Sequence, residues 1–119
     1  MPTTSSPTTA KAGAINAADL AALAENAGRA AELMRLMSNQ NRLMILCSLI
    51  DGELSVGELN DCIPLSQSAL SQHLANLRQA DLVNTRREAQ NIYYRLKGEA
   101  PIKVISVLKE LFCPDHPAP

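Results

Sequence analysis

Apolar residues recur at intervals of three and four along several stretches of this chain, which is the spacing of one face of an α-helix. Residues suited to capping precede most of these stretches, and glycine or proline follows several of them. The first helix is predicted to begin at Ala17. The boundary residues of the other four are Ser38 and Gly52, Ser55 and Asp61, Ser66 and Gln79, and Pro101 and Pro114. The pattern therefore predicts five helices, of which the third is short.

Between the fourth and fifth helices the hydrophobic period changes to that of a strand. Residues 82–86 and 91–96 are rich in β-forming side chains and flank a polar link, residues 87–90, which predicts a β-hairpin. Because neighbours in a strand point to opposite faces, we expect Tyr94 to point inward and Tyr93 to face solvent or a DNA backbone. The order of helix, helix, short helix, turn, helix, hairpin and helix predicts a mainly α fold with a β-hairpin wing, a winged helix-turn-helix.

Length and composition set the domain organisation. A chain of 119 residues suits one hydrophobic core, and no apolar run approaches the ~20 residues that span a bilayer. The first residues are mostly Ser, Thr and Pro, which cannot bury apolar surface. We expect a cytoplasmic protein with no membrane contact, a disordered leader over residues 1–16, one domain over residues 17–114 and a flexible tail over residues 115–119.

The charge is distributed unevenly along the chain. The formal net charge of −1 argues against a nucleic-acid partner, since DNA-binding domains tend to be basic. From residue 62 to residue 97, however, five Lys and Arg residues stand against two acidic ones. A locally basic face is therefore compatible with a chain that is weakly acidic overall.

The fourth helix and the hairpin carry the chemistry that DNA recognition needs. Polar side chains with hydrogen-bonding groups near the helix start can read base edges, and cations at the hairpin can contact phosphates. The candidates are Gln67, Ser68, Ser71 and Gln72 on the helix and Arg86 and Arg87 at the hairpin, with His73 either packing or contacting a phosphate. A solvated helix face is the alternative for the polar row, and the hairpin that follows favours double-stranded DNA.

Three cysteines, an odd number, occur without a secretory signal, which indicates reduced or redox-active thiols. Cys47 lies on an apolar helix face, where core packing is the simplest interpretation. Cys113 ends the last helix, whose dipole disfavours a thiolate, so any activation must come from Lys109 or His116. Cys62 is assigned a structural or incidental role. No nucleophile with a base, phosphate loop or carboxylate pair indicates an enzyme or a cofactor.

The run LSQSALSQHLANLR at residues 65–78, with LVNTRRE at 82–88 and YYRL at 93–96, resembles the ArsR family of bacterial transcriptional repressors. The resemblance extends over roughly residues 30–114. It implies a homodimer, paired through the first and last helices, whose two recognition helices read an inverted-repeat operator. The alternative is a winged helix that binds a protein partner and has lost its affinity for DNA.

The resemblance also bears on what the protein senses. Metal sensors of the family carry a Cys-x-Cys pair where this chain has Ser55 and Gly57, and residues 104–112 lack the His and Asp of the other common metal site. The contexts of Cys47 and Cys113 resemble the BigR/SqrR branch, in which matching cysteines react with low-molecular-weight persulfides, become bridged by sulfur and release DNA, derepressing sulfide-detoxification genes. A general thiol or peroxide sensor, and a metal or haem sensor using Cys47, Cys113 or His116, remain as alternatives.

Overall fold

The computed structural model describes residues 15–113, which divide into two compact units at Glu32 and Leu33. The first unit holds most of helix α1 (Ala17–Met37), which begins where Asn16 accepts a hydrogen bond from the Asp19 amide at 2.8 Å. The predicted tail, most of the predicted leader, Pro114 and His116 lie outside the described residues. The remaining helices and the strands belong to the second unit.

The predicted helices are present, with small differences at their ends. The bounds are α2 Gln40–Ser48, α3 Val56–Cys62, α4 Gln67–Gln79 and α5 Glu99–Phe112. The prediction that Ser38 caps α2 is wrong: its hydroxyl donates back to the Arg35 carbonyl, and Asn39 accepts from the Arg42 amide instead. Gly52 also lies beyond the end of α2, in a turn where its φ of 148° suits glycine.

Helices α3 and α4 form a helix-turn-helix with the predicted caps. Ser55 and Glu58 close a capping box at the start of α3, and Ser66 accepts from the Ala69 amide at the start of α4. The side-chain amide of Asn60 donates to the Leu65 carbonyl at 2.8 Å. This bond fixes the turn between the two helices and so the direction in which α4 leaves it.

The strands form a three-stranded antiparallel sheet in the order β1–β3–β2. The hairpin strands are β2 (Val83–Glu88) and β3 (Asn91–Leu96), and the sequence analysis missed the two-residue strand β1 (Leu54–Ser55). The predicted link, residues 87–90, is too long, because Arg87 pairs with Ile92 and Glu88 with Asn91. Only Ala89 and Gln90 form the turn, and Ala89 takes a left-handed φ of 59°.

The core of the second unit is aliphatic and lies between the helices and one face of the sheet. It contains no buried polar or charged residue among the described ones. Its fully buried members are Ile45, Leu46, Leu59, Ile63, Leu70, Leu74, Leu77, Val83 and Ile105. Tyr94 packs against this core, as predicted. None of the helices between residues 15 and 113 has the length and apolar character needed to cross a bilayer.

Candidate DNA interface and cysteine pair

The α4 helix separates apolar from polar side chains. Leu70, Leu74 and Leu77 are at most 1% exposed, and they anchor the helix to the core. The four residues predicted to read bases are all exposed: Gln67, Ser68, Ser71 and Gln72. Burial of one face leaves the opposite face to solvent, so α4 presents a row of uncharged donors and acceptors beginning at its first turn.

Two further polar residues of α4 lie at the edge of this row. Gln72 donates to the Asn76 side chain at 3.4 Å, which steadies the row along the helix. His73 is only half-exposed, and its Nδ1 atom is buried without a hydrogen-bond partner among the described residues. This position favours packing for His73 over contact with a phosphate, the two roles that the sequence left open.

The structure does not leave Arg86 as the free cation that the sequence analysis expected at the hairpin. Its guanidinium donates to both Glu53 carboxylate oxygens, and to Glu88 at 2.8 Å from Nη1. It also lies over the Tyr93 ring, 4.8 Å from the centroid. The hydrogen bond from Arg86 lowers the pKa of Glu53, and the same pair raises the pKa of Arg86, so both groups stay charged.

Arg87, the other predicted wing cation, has different surroundings. It is exposed next to the hairpin turn, and within the described residues it has no ion pair or hydrogen bond from its side chain. The register places it on the same sheet face as Thr85 and Tyr94, opposite to the face that bears Arg86. Arg87 is therefore available to an incoming anion.

The two cysteines predicted to act together lie on helices that pack against each other. Cys47 is near the end of α2 and half-buried, and Cys113 directly follows α5 and is exposed. The Cys113 amide donates to the Lys109 carbonyl at 2.8 Å. Cys62 is exposed at the end of α3, and all three cysteines are free thiols.

Burial raises the pKa of Cys47, and the neighbouring Cys113 raises it further, because two thiolates repel each other. The ammonium of Lys109 acts in the opposite direction and lowers the pKa of Cys47. Together with the packing of α2 against α5, these interactions group Cys47, Cys113 and Lys109 in one site. Lys109 also pairs with Asp51 at 2.9 Å, which moderates the charge that it presents to the thiol.

No group of three potential ligands among His, Cys, Asp and Glu in residues 15–113 is arranged to hold a metal ion.

A helix-turn-helix with an exposed polar second helix, followed by a hairpin, defines a winged helix-turn-helix protein. Solved structures agree with this class. Reduced HlyU from Vibrio cholerae matches with a TM-score of 0.74 at 50% identity, covering 77% of this chain and 97% of that one. The transcriptional repressor BigR from Xylella fastidiosa matches with a TM-score of 0.74 at 36% identity, covering 81% of this chain and 98% of that one.

The chain belongs to the arsR family of bacterial regulatory proteins, and the family model matches residues 39–85. The transcriptional activator HlyU of Vibrio cholerae is 50% identical over 95 residues, which are 80% of this chain and 88% of the relative. The biofilm growth-associated repressor of Agrobacterium fabrum is 42% identical over 94 residues, 79% of this chain and 80% of the relative. The protein is thus a transcriptional regulator of a family whose members bind DNA and act as dimers.

Two parts of the site escaped the sequence analysis. The sequence analysis did not single out Glu53 or Asp51, yet each pairs with a cation far along the chain. Charge segregation between residues 51–61 and the hairpin is the one signal that could have suggested the Glu53–Arg86 pair. Nothing in the sequence indicates which of the acidic residues pairs with which cation.

Proposed function

We propose that this protein is a homodimeric repressor that binds an inverted-repeat operator and leaves it when low-molecular-weight persulfides cause sulfur to bridge Cys47 and Cys113. Its release would derepress genes for sulfide detoxification. The observation that carries the proposal is the packing of α2, which bears Cys47, against α5, whose last turn is tied to Asp51 after α2 through Lys109 and is followed directly by Cys113. In keeping with this packing, Cys113 and Lys109 both act on the pKa of Cys47. Cys62 is absent from that set, although it is equally a free thiol.

The proposed DNA contacts come from α4 and the wing. The exposed polar row of Gln67, Ser68, Ser71 and Gln72 would meet base edges in the major groove, and Arg87 would contact a phosphate beside it. A dimer paired through α1 and α5 would place two such helices on half-sites about one helical turn, ~34 Å, apart.

The sulfur chemistry requires a donor that supplies both the bridging atom and the oxidising equivalents. Two persulfide molecules, RSSH, yield the trisulfide RSSSR and hydrogen sulfide. The Cys113 thiolate attacks the central sulfur of RSSSR and displaces one RS⁻, and the Cys47 thiolate then attacks the same sulfur and displaces the second. Two thiolates and RSSSR thus become one cysteine trisulfide and two RS⁻, so that atoms and electrons balance.

Exposure and pKa suggest the order of these two steps. Cys113 is exposed and accessible to a small donor, whereas Cys47 is half-buried and has a raised pKa. A thiol with a low thiolate fraction is a poor first nucleophile but can resolve a mixed polysulfide formed next to it. Lys109 would assist the second step by favouring the Cys47 thiolate.

Bridging would join α2 to the end of α5, and α5 is the helix proposed to pair two subunits. A change at that joint can bias the arrangement of the two recognition helices without touching DNA. Allosteric couplings of this kind are typically about 1–3 kcal/mol, or roughly 5- to 150-fold in affinity.

The test combines mass spectrometry with DNA binding. The reduced protein first selects a duplex from a library of random inverted repeats, and fluorescence anisotropy then follows its release under an anaerobic persulfide donor. We expect the peptides of Cys47 and Cys113 to become linked with one or more added sulfur atoms, and release to disappear in Cys47→Ser and Cys113→Ser.

Cys62→Ser is the matched control and should respond as the parent does. Peroxide is run in parallel. If both oxidants give the same plain disulfide, the protein is a general thiol sensor; if no link forms, anaerobic metal and haem titrations decide between those sensors. Failure of the reduced protein to select any duplex would contradict DNA binding itself.

A further inference from the structure

We propose that Arg86 is a positioning residue, which clamps the wing to the segment preceding α3, and that Arg87 alone of this Arg pair supplies a phosphate contact. The inference rests on the DNA-binding function above and assigns different roles to two adjacent arginines. Its basis is the row of contacts across the sheet from Arg86, over Tyr93, to Glu53.

The strand register explains why these three residues meet. Ser55 of β1 and Arg86 of β2 both pair with Tyr93 of β3, so the three positions align across the sheet. Glu53 is two residues before Ser55, which places it on the same face as Tyr93. The Arg86 side chain thus reaches across the whole width of the sheet, from the outer wing strand to the end of the α2–β1 connection.

The contacts of Arg86 use most of its binding capacity. Its Nε atom lies 3.0 and 3.3 Å from the two Glu53 carboxylate oxygens, Nη2 also bonds to Glu53, and Nη1 bonds to Glu88. The Tyr93 ring covers the guanidinium from one side. A phosphate would have to displace these partners, and two nearby carboxylates would repel it.

The clamp matters because the other side-chain attachments of the wing, through Val83, Tyr94 and Leu96, are on the face toward the core. A two-stranded ribbon is marginal in water unless a third strand or a helix supports it. The only third strand among the described residues is β1, which is two residues long. Arg86 adds a side-chain connection on the face away from the core, and this holds the hairpin at a fixed angle to α3 and α4. Arg87 at the turn would then meet the DNA backbone without further ordering.

The salt dependence of DNA binding separates the two roles. Each phosphate contact contributes about 0.9 to the slope of log K against log salt, so Arg87→Gln should lower the slope by about 1. Arg86→Gln should leave the slope unchanged and weaken binding about two- to tenfold at fixed salt, since exposed ion pairs and cation–π contacts contribute on that scale. Arg86→Lys keeps the charge but loses the fork geometry, and it should not restore affinity.

Glu53→Gln gives the sharpest contrast. Removal of an acidic residue near DNA ordinarily strengthens binding, whereas loss of the clamp weakens it, so we expect Glu53→Gln to resemble Arg86→Gln. Glu88→Gln is the matched control. It also removes a carboxylate partner of the Arg86 guanidinium, but Glu88 is on the same strand as Arg86, so its loss does not release the wing from the segment preceding α3. It should not weaken binding. The double variant of Arg86 and Glu53 should bind no worse than either single variant.

Opposite outcomes overturn the proposal. A slope that falls by about 1 in Arg86→Gln, or affinity restored by Arg86→Lys, would make Arg86 a phosphate contact. Tighter binding by Glu53→Gln would show that Glu53 only holds the cation away from DNA. If the reduced parent protein selects no duplex, the DNA-binding function and the assignment of Arg87 fail together. Hydrogen exchange then decides the clamp itself, by whether the wing amides of Arg86→Gln and Glu53→Gln exchange faster than those of Glu88→Gln.

Discussion

Helices α4 and α5 both carry regular apolar stripes, but the two stripes are buried to different extents. The leucines of α4 at positions 70, 74 and 77 are at most 1% exposed, so the core of a single chain buries the apolar stripe of α4 completely. On α5 only Pro101 and Ile105 are buried, while Ile102, Val107, Leu111 and Phe112 are 42%, 52%, 66% and 75% exposed. A stripe that one core does not cover is available to another surface, and the proposed dimer would supply one.

The comparison also separates two uses of a helix. Because α4 is fully anchored, its opposite face can be polar and remain rigid, which suits recognition of base edges. Because α5 has only two buried residues, the proposed mechanism lets its packing respond to a bridge between Cys47 on α2 and Cys113. Three substitutions test this contrast, beginning with the largest expected effect.

Leu74→Ala should destabilise the protein by about 2–5 kcal/mol, because it opens a cavity at a core position that is 1% exposed. Urea unfolding followed by circular dichroism measures the loss. The control is Gln72→Ala on the exposed face of α4, which should change the free energy of unfolding by less than about 0.5 kcal/mol. Equal effects of the two variants would contradict the division of α4 into an anchored and a free face.

Leu111→Asp should leave the fold of the single chain intact but weaken dimerisation by at least about tenfold, because a buried leucine contributes about 1.5–3 kcal/mol at an interface. Sedimentation at several protein concentrations measures the effect. Lys103→Asp introduces a carboxylate at an exposed polar position of α5 and serves as the control. A dimer that survives Leu111→Asp unchanged would place the interface elsewhere.

Lys109→Gln should raise the pKa of Cys47 further, because the ammonium that favours the thiolate is lost. At a fixed pH below that pKa the thiolate fraction falls, so alkylation of Cys47 slows and its pH profile moves to higher pH. Asp51→Asn should act in the opposite direction, since it releases Lys109 from its ion pair. The control is Lys103→Gln on the same helix. Alkylation rates at Cys47 are measured by peptide mass spectrometry. Rates in Lys109→Gln and Asp51→Asn that equal the rate in the Lys103→Gln control would contradict the site.

Much of the fold could be predicted because its signals are local. Ser55 and Ser66 cap the helices that the sequence assigned to them, and Leu70, Leu74 and Leu77 are buried as their spacing indicates. The errors are also local, and each arises where neighbouring residues or turn conformations compete. Asn39 caps α2 in place of Ser38, and Ala89 permits a tighter hairpin turn by taking a left-handed conformation that its side chain does not favour.

The candidate site could be predicted only in part. The polar row of α4 followed from helical periodicity, and the choice of Cys47 and Cys113 followed from a family resemblance. The different environments of Arg86 and Arg87 did not follow from the sequence, since adjacent residues of the same type give no indication of which one meets a carboxylate 33 positions away.

The sequence by itself determined the order of the five helices and the hairpin, the apolar face of α4 and the polar side chains that stand together on it, because these depend on neighbours within one or two turns. The tertiary structure decided the partners: Glu53 for Arg86, Asp51 for Lys109, and the common site of Cys47 and Cys113. Those contacts depend on how α2, α5 and the sheet pack around the shared core. Charge and thiol chemistry act over a few ångströms in space, whatever the separation along the chain.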